Sequence, residues 1–206
     1  MGRNTTASGY ASIAMGYETT ASGKYSTSMG RSTTASDYGS LVIGQYNLSG
    51  STVTNSATAF NTANTAFVIG NGASSGSKSD AFKVMFNGDA TVSNDLTVSG
   101  DVVVSSDARL KSNIVSLGST LSRLLLIDGK SYEMKGKQKI GVLAQDIREV
   151  FPELVSEDAN EMLAVNYQGL VPVLINALKE QDGKMKEQDD KISRLENLVE
   201  KLISDK

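Results

Sequence analysis

The run Ser106-Asp107-Ala108-Arg109-Leu110-Lys111 places a serine hydroxyl five residues ahead of a lysine amine. A serine hydroxyl is a weak nucleophile and needs a base. A lysine serves as that base only when burial or a neighbouring cation leaves its amine neutral. The chain contains no histidine and no cysteine, which removes Ser-His-Asp and Cys-His arrangements and most soft-metal sites. A Ser-Lys pair, or a pair of carboxylates, remains for hydrolytic chemistry. No metal and no cofactor is expected. The spacing also has a plainer reading, in which Ser106 or Asp107 caps a helix and Lys111 is a solvated charge.

These residues sit where the chain changes character. Before them lies Gly/Ser/Thr-rich, strand-like sequence, and after them charged, helix-prone sequence. An internal repeat of fourteen residues begins at Gly2, Gly16, Gly30 and Gly44, with a recurring Thr-Thr-Ala-Ser block. A fixed period with glycine at the turns signals a solenoid with one coil per repeat and small residues inside. So short a solenoid exposes its ends and its apolar side, and trimerisation is the expected remedy. Farther on, Phe67–Gly70 reads as a short buried strand. Phe82, Val84 and Phe86 alternate with polar or flexible residues up to an Asn87-Gly88 turn, and Ala90 and Val92 alternate on the return. Leu96–Val98 and Val102–Val104, flanking Gly100-Asp101, read as two more strands of a fibre shaft. Proline is absent before Pro152, which suits a long hydrogen-bonded sheet.

Beyond Asp107, Leu121–Ile127 and Ile140–Val150 read as helical or buried segments of an α+β core. The last helix is expected to begin near Asn166. Its apolar residues keep a heptad, with Val171, Leu178, Met185, Ile192 and Val199 at one seam position and Leu174, Leu195 and Leu202 at the other. Gln181 and Gln188 occupy the second position mid-way, where polar residues fix register at some cost in stability. The apolar fraction is 39% with no tryptophan, thin for a compact monomeric core. A net charge of −3 argues against nucleic-acid binding. No run approaches the ~18 apolar residues of a membrane span, and no membrane insertion is expected.

The run Ser106-Asp107-x-Arg109-Leu110-Lys111-x-Asn113-Ile114 resembles the start of the intramolecular chaperone auto-processing domain of phage tailspikes and tail fibres, as found at the end of endosialidase tailspikes. Gly141–Asp146, Phe151–Val155 and Val165–Pro172 look like its inner motifs in the same order, and the resemblance covers about 100 residues from Ser105 onward. It implies a trimeric domain that helps a fibre fold and then cuts itself off just before the motif serine. Carried over, the scissile bond is Ser105–Ser106, the nucleophile is Ser106 and the required partner is Lys111. Asp107 and Arg109 are expected to orient the loop, or Arg109 to keep Lys111 neutral by repulsion. The fourteen-residue repeats resemble the YadA-like head repeats of trimeric autotransporter adhesins, which build a β-roll in each of three parallel chains.

The expected fold is a mainly β N-terminal half, a trimeric β-roll or β-solenoid with fibre shaft, followed by an α+β chaperone domain ending in a trimeric coiled coil. Expected bounds are residues 1–50 for the repeats, 51–104 for connector and shaft, and 105–206 for the chaperone, with the coiled coil at about 170–204. The expected function is the C-terminal part of a homotrimeric tail fibre or tailspike, folded in the host cytoplasm and placed on the virion, whose chaperone domain is released by self-cleavage. The alternative is a non-catalytic trimerisation module of a fibre or bacterial surface adhesin. An adhesin anchor would require aromatic-rich amphipathic strands, whereas residues 176–206 read as a charged heptad helix. The expected partner is the chain itself, as a parallel homotrimer. A host cell-surface receptor or glycan stays open, with no residue assigned to it.

Overall fold

Each repeat carries two places where the backbone turns through the left-handed region, and these corners make the coil. The computed structural model describes residues 2–158 and 161–204. One corner holds Asn4, Glu18, Ser32 and Tyr46 and the other Ala11, Tyr25 and Gly39, all at positive φ. Between the corners run β1 (Gly2–Arg3), β2 (Thr6–Ala7), β3 (Ile13–Tyr17), β4 (Thr20–Ala21), β5 (Thr27–Arg31), β6 (Thr34–Ala35) and β7 (Leu41–Gln45). The odd-numbered strands stack in parallel register, Gly2 beside Gly16 and Gly16 beside Gly30. Strands β2, β4 and β6 form a separate sheet, with Ala7, Ala21 and Ala35 in line.

The glycine that opens each repeat is dictated by the coil stacked on it. A Cβ on Gly16 or Gly30 would lie 2.0 Å from the carbonyl oxygen of the next repeat's glycine. The inward positions are filled by small residues: Ala14, Ala21, Ala35 and Val42, with Ser26, Ser28 and Thr33 beside them. Buried hydroxyls need partners. The Ser28 and Thr33 oxygens are 2.8 Å apart, and Ser26 Oγ donates to the Ala35 carbonyl. One coil earlier Ala14 stands in the place of Ser28, and the matching Thr19 hydroxyl is buried without a hydrogen-bond partner among the described residues.

The coils end at Asp37. At Gly9 and Gly23, its counterparts, a Cβ would meet the next coil's backbone at 2.1 Å. At Asp37 the chain leaves the coil path, so a side chain fits. Its buried carboxylate accepts the Thr54 and Thr65 amides, both at 2.7 Å, and ties down the loop that follows. The sheet continues through β8 (Thr65–Asn71), parallel to β7 with Val42 beside Val68 and Gly44 beside Gly70. Then come β9 (Asp80–Met85) and β10 (Ala90–Val92), antiparallel and joined through the Asn87-Gly88 turn with Gly88 at φ +94°.

The strands expected at Leu96–Val98 and Val102–Val104 do not form. A strand exists only against another backbone, and this segment has none within its own chain. Its side chains stay exposed, Val103 at 88%.

Contacts divide the chain into two units, Met1–Val104 and Ser105–Lys206. The second contains α1 (Leu121–Leu124), β11 (Lys130–Met134), β12 (Lys137–Gly141), α2 (Ala144–Val150), β13 (Val155–Glu157), β14 (Leu163–Val165) and α3 (Leu170–Ser204). The expected helical segments are shorter than their apolar runs. Leu125 and Leu126 fall outside α1 and are exposed, and Ile140, 86% exposed, belongs to the β11–β12 hairpin rather than to α2. The last helix starts at Leu170. Asn166 instead caps a single 3₁₀ turn, Tyr167–Gly169, by accepting the Gly169 amide. The core is Ile147, Phe151 and Val173, flanked by Leu124, Val150, Leu154, Val165 and Leu170. The Arg123 guanidinium covers the Phe151 ring at 4.0 Å and donates to the Val150 carbonyl.

Helix α3 is stapled to the segment before α1. Thr120, fully buried, donates to the Val173 carbonyl at 2.9 Å. The Glu180 carboxylate accepts the Ser119 hydroxyl at 2.6 Å, the Thr120 amide and the Leu121 amide at 3.1 Å. No helix among the described residues is long and apolar enough to cross a membrane.

Two outcomes follow from this packing. Gly30→Ala forces a Cβ 2.0 Å from the Gly44 carbonyl oxygen at φ +119°, and it should destabilise the first unit by at least about 2 kcal/mol. Gly76→Ala, with nothing within 4 Å, should shift stability by less than about 0.5 kcal/mol; denaturant titration compares the two. The second concerns acid. The Ser119 hydroxyl first, then the Thr120 amide, hold the Glu180 carboxyl below its ordinary range. A depressed carboxylate stabilises fully at neutral pH and loses that contribution as pH falls through the folded value, beneath the ordinary ~4.3. Hydrogen exchange at the Thr120 and Leu121 amides should lose protection in that window. Glu180→Ala, which removes the acceptor, should show weak protection at every pH. Equal protection of Glu180→Ala and the wild type at pH 7 would overturn the staple.

Candidate functional site

Fully extended, five residues span roughly 17 Å. A tight turn closes that distance. Asp107 sits in extended backbone at φ −62°, ψ 133°, and its carboxylate accepts the Arg109 amide at 2.8 Å. That cap starts a 3₁₀ turn over Ala108–Leu110, closed by the Lys111 amide donating to the Ala108 carbonyl at 3.1 Å. The chain is thereby folded back, and Lys111 Nζ donates to Ser106 Oγ at 2.7 Å. Asp107 takes the capping role, which leaves the Ser106 hydroxyl to the lysine.

Arg109 is drawn onto the same cap. Its Nε lies 3.0 and 3.1 Å from the two Asp107 oxygens, and its Nη2 lies 2.7 Å from Oδ2. This fork holds the Asp107 carboxyl below its ordinary range and raises the guanidinium. Both side chains are exposed, and exposed pairs contribute little to stability. The pair acts on the shape of the turn. In this arrangement the Arg109 charge is matched by Asp107 and not directed at Lys111.

Ser105, Ser106, Asp107, Arg109 and Lys111 all lie on open surface. The neighbouring Leu110, Ile114 and Val115 are also exposed, Val115 at 83%. A surface with this many uncovered apolar side chains is incomplete as a catalytic pocket, because activation of a lysine calls for burial or a neighbouring cation.

The inner motifs hold one another rather than the Ser106–Lys111 pair. The Val142 amide donates to the Tyr167 hydroxyl at 3.2 Å, which joins the Gly141–Asp146 block to the Val165–Pro172 block. The Asn166 amide donates to the Leu154 carbonyl at 2.8 Å, which joins the latter to the Phe151–Val155 block. Phe151 of the second block forms the core with Ile147 and Val173, which directly follow the first and third blocks. Reasoning from sequence missed Glu180 and Thr120. Glu180 looks like one of many helix-surface charges, and its hydrogen-bond partners are about 60 residues away in sequence.

Comparison with known families bears on both units. Residues 106–156 match the family model of the chaperone of endosialidase, a peptidase family, and the match begins at Ser106. Residues 1–19 and 21–47 match two copies of the YadA head domain repeat. No curated protein matches the chain. The two matches together support a fibre- or adhesin-type protein with a chaperone module. In chain order, then, two stretches similar to the YadA head repeat are followed by one similar to the chaperone of endosialidase, and that last match opens on the serine of the Ser106–Lys111 pair.

Proposed function

We propose that the chain forms part of a homotrimeric phage tail fibre or tailspike. Residues 105–206 template the trimer and then cut themselves off between Ser105 and Ser106. The observation that carries this reading is the 2.7 Å contact between Lys111 Nζ and Ser106 Oγ across a capped turn. Ser106 Oγ attacks the Ser105 carbonyl carbon, the amide C–N bond breaks, and the acyl group moves to oxygen as an ester. Lys111 accepts the hydroxyl proton and returns it to the departing Ser106 amine. Water then cleaves the ester, leaving a Ser105 carboxylate and a free Ser106 N-terminus. Asp107 and Arg109 hold the turn. Turnover is single and no external substrate is bound.

Assembly supplies what one chain lacks. Along the first third of α3, Val173 and Ala177 are buried in their own unit, while Val171, Leu174 and Leu178 stay exposed. Met185, Ile192, Leu195, Val199 and Leu202 continue that exposed set. Two faces of one helix are therefore apolar, one filled from within and one free for identical helices at heptad spacing. Burial of Leu110, Ile114 and Val115 against neighbouring chains would remove water from Lys111, the condition its role as base requires.

Purified wild-type protein should yield a fragment of residues 106–206 beginning with serine, by intact mass. Ser106→Ala should remain full length, and Lys111→Ala should cleave about 10²–10⁴-fold more slowly. Ser105→Ala should still cut, because that residue supplies only a carbonyl. A wild type that stays intact after complete folding would leave the non-catalytic trimerisation module as the better reading.

Replacing Ile192 and Leu195 together with aspartate buries like charges at the helix seam, at a cost of several kcal/mol, on the order of the penalty for an unpaired buried charge. Light scattering should then show loss of the species at three times the chain mass. A double variant that still forms heat-stable trimers would reduce the coiled coil to a surface helix.

A further inference from the structure

Three tyrosines lie slightly out of step along one corner of the coils. Successive repeats place Tyr10-Ala11, Lys24-Tyr25 and Tyr38-Gly39 there. Strict repetition would put an aromatic at position 24, but a lysine stands in its place and the ring moves one residue on. The rings nevertheless form a continuous row. Tyr10 and Tyr25 are 5.8 Å apart between centroids and Tyr25 and Tyr38 5.4 Å, both edge to face. Lys24 Nζ lies 5.5 Å from the Tyr10 centroid and 5.0 Å from that of Tyr25. It makes no ion pair among the described residues.

Tyr25 takes, at φ +62°, the left-handed corner that Ala11 and Gly39 take in the neighbouring repeats. The rings are also open to ligand, with Tyr10 71% and Tyr25 44% exposed. Packing against another chain would be better served elsewhere. Ile13, Met15 and Leu41 stand exposed on the face of the long-strand sheet, whereas lysine is depleted from the cores of protein interfaces.

We infer that Tyr10, Lys24, Tyr25 and Tyr38 form a binding site for an acidic glycan, an oligosaccharide bearing carboxylate or sulfate. Flat aromatic surfaces take the apolar C–H faces of pyranose rings, and the phenol hydroxyls match sugar hydroxyls. The ammonium of Lys24, held between two rings, meets the anionic group. The inference rests on reading residues 1–50 as an attachment-bearing fibre head and is independent of cleavage at Ser105–Ser106.

The full chain can be tested on an array of immobilised oligosaccharides with neutral, uronate-containing and sulfated members. Binding should be confined to acidic members, and the uronate and sulfate arms identify which anion is preferred. Lys24→Gln should weaken it at least tenfold. Tyr25→Gly, whose backbone suits the left-handed corner, should keep the β-sheet circular dichroism of the wild type and lose the same binding. A wild type that binds no acidic member, binds neutral members equally, or is unaffected by both substitutions overturns the inference. Acidic-sugar binding by a chain that stays uncut removes the cleavage reading alone, and cleavage without such binding removes only the glycan site.

Discussion

A shortage of apolar side chains to bury governs both units. The hydrophobic centre of the first is Ala35, Val42 and Val68, and that of the second is Ile147, Phe151 and Val173. Clusters of that size stabilise only modestly at ~25 cal/mol per Å² of apolar surface removed from water. Meanwhile Ile13, Met15, Val103, Ile114, Val115, Leu195 and Leu202 remain in water. Exposed apolar surface on this scale marks an interaction site rather than a finished surface. The unformed strands at Leu96–Val98 and Val102–Val104 belong to the same exposed set.

The first unit compensates through backbone rather than side chains. Coils approach so closely that glycine is obligatory at the contact, and the parallel ladders satisfy the backbone groups that small side chains cannot shield. Such a stack is bound only to its neighbours, coil by coil, through partners one repeat apart such as Gly16 and Gly30. The second unit closes over longer stretches of chain: Glu180 and the Val173 carbonyl reach back to Ser119 and Thr120, 61 and 53 residues earlier.

The repeats were legible in sequence because a fixed period reports a fixed geometry. Gly16, Gly30 and Gly44 recur where backbone meets backbone, and Asp37 interrupts the pattern where the coil ends. The Asn87-Gly88 turn was legible for a similar reason, since few dipeptides adopt that backbone so readily. The short apolar runs at Leu96–Val98 and Val102–Val104 misled because they record a preference for strand, not whether a partner strand exists in the chain. Helix lengths around Leu125 and Ile140 misled because apolar residues in short connections look the same as helical ones. The spacing of Ser106 and Lys111 carried two readings, and the structure holds features of both: Asp107 caps the turn and Lys111 is exposed, while Lys111 Nζ also reaches Ser106 Oγ. Glu180 was invisible, its partners being remote in sequence.

On the proposed reading, the surface position of the Ser106–Lys111 pair bears on when it could act. A single chain leaves Lys111 in water and its apolar neighbours uncovered, so its environment is unsuited to base catalysis until something covers it. If the cover is the same trimer contact that orders the fibre, chemistry and assembly share one cause, and premature cutting of an unassembled chain is avoided without any separate regulator. Cutting after assembly would also change the kind of stability the fibre has. With its template gone, a coil stack that unwinds has no unit from which to rewind, and persistence then depends on the height of the unfolding barrier rather than on equilibrium. A head made of coils with little core of their own would gain most from that exchange.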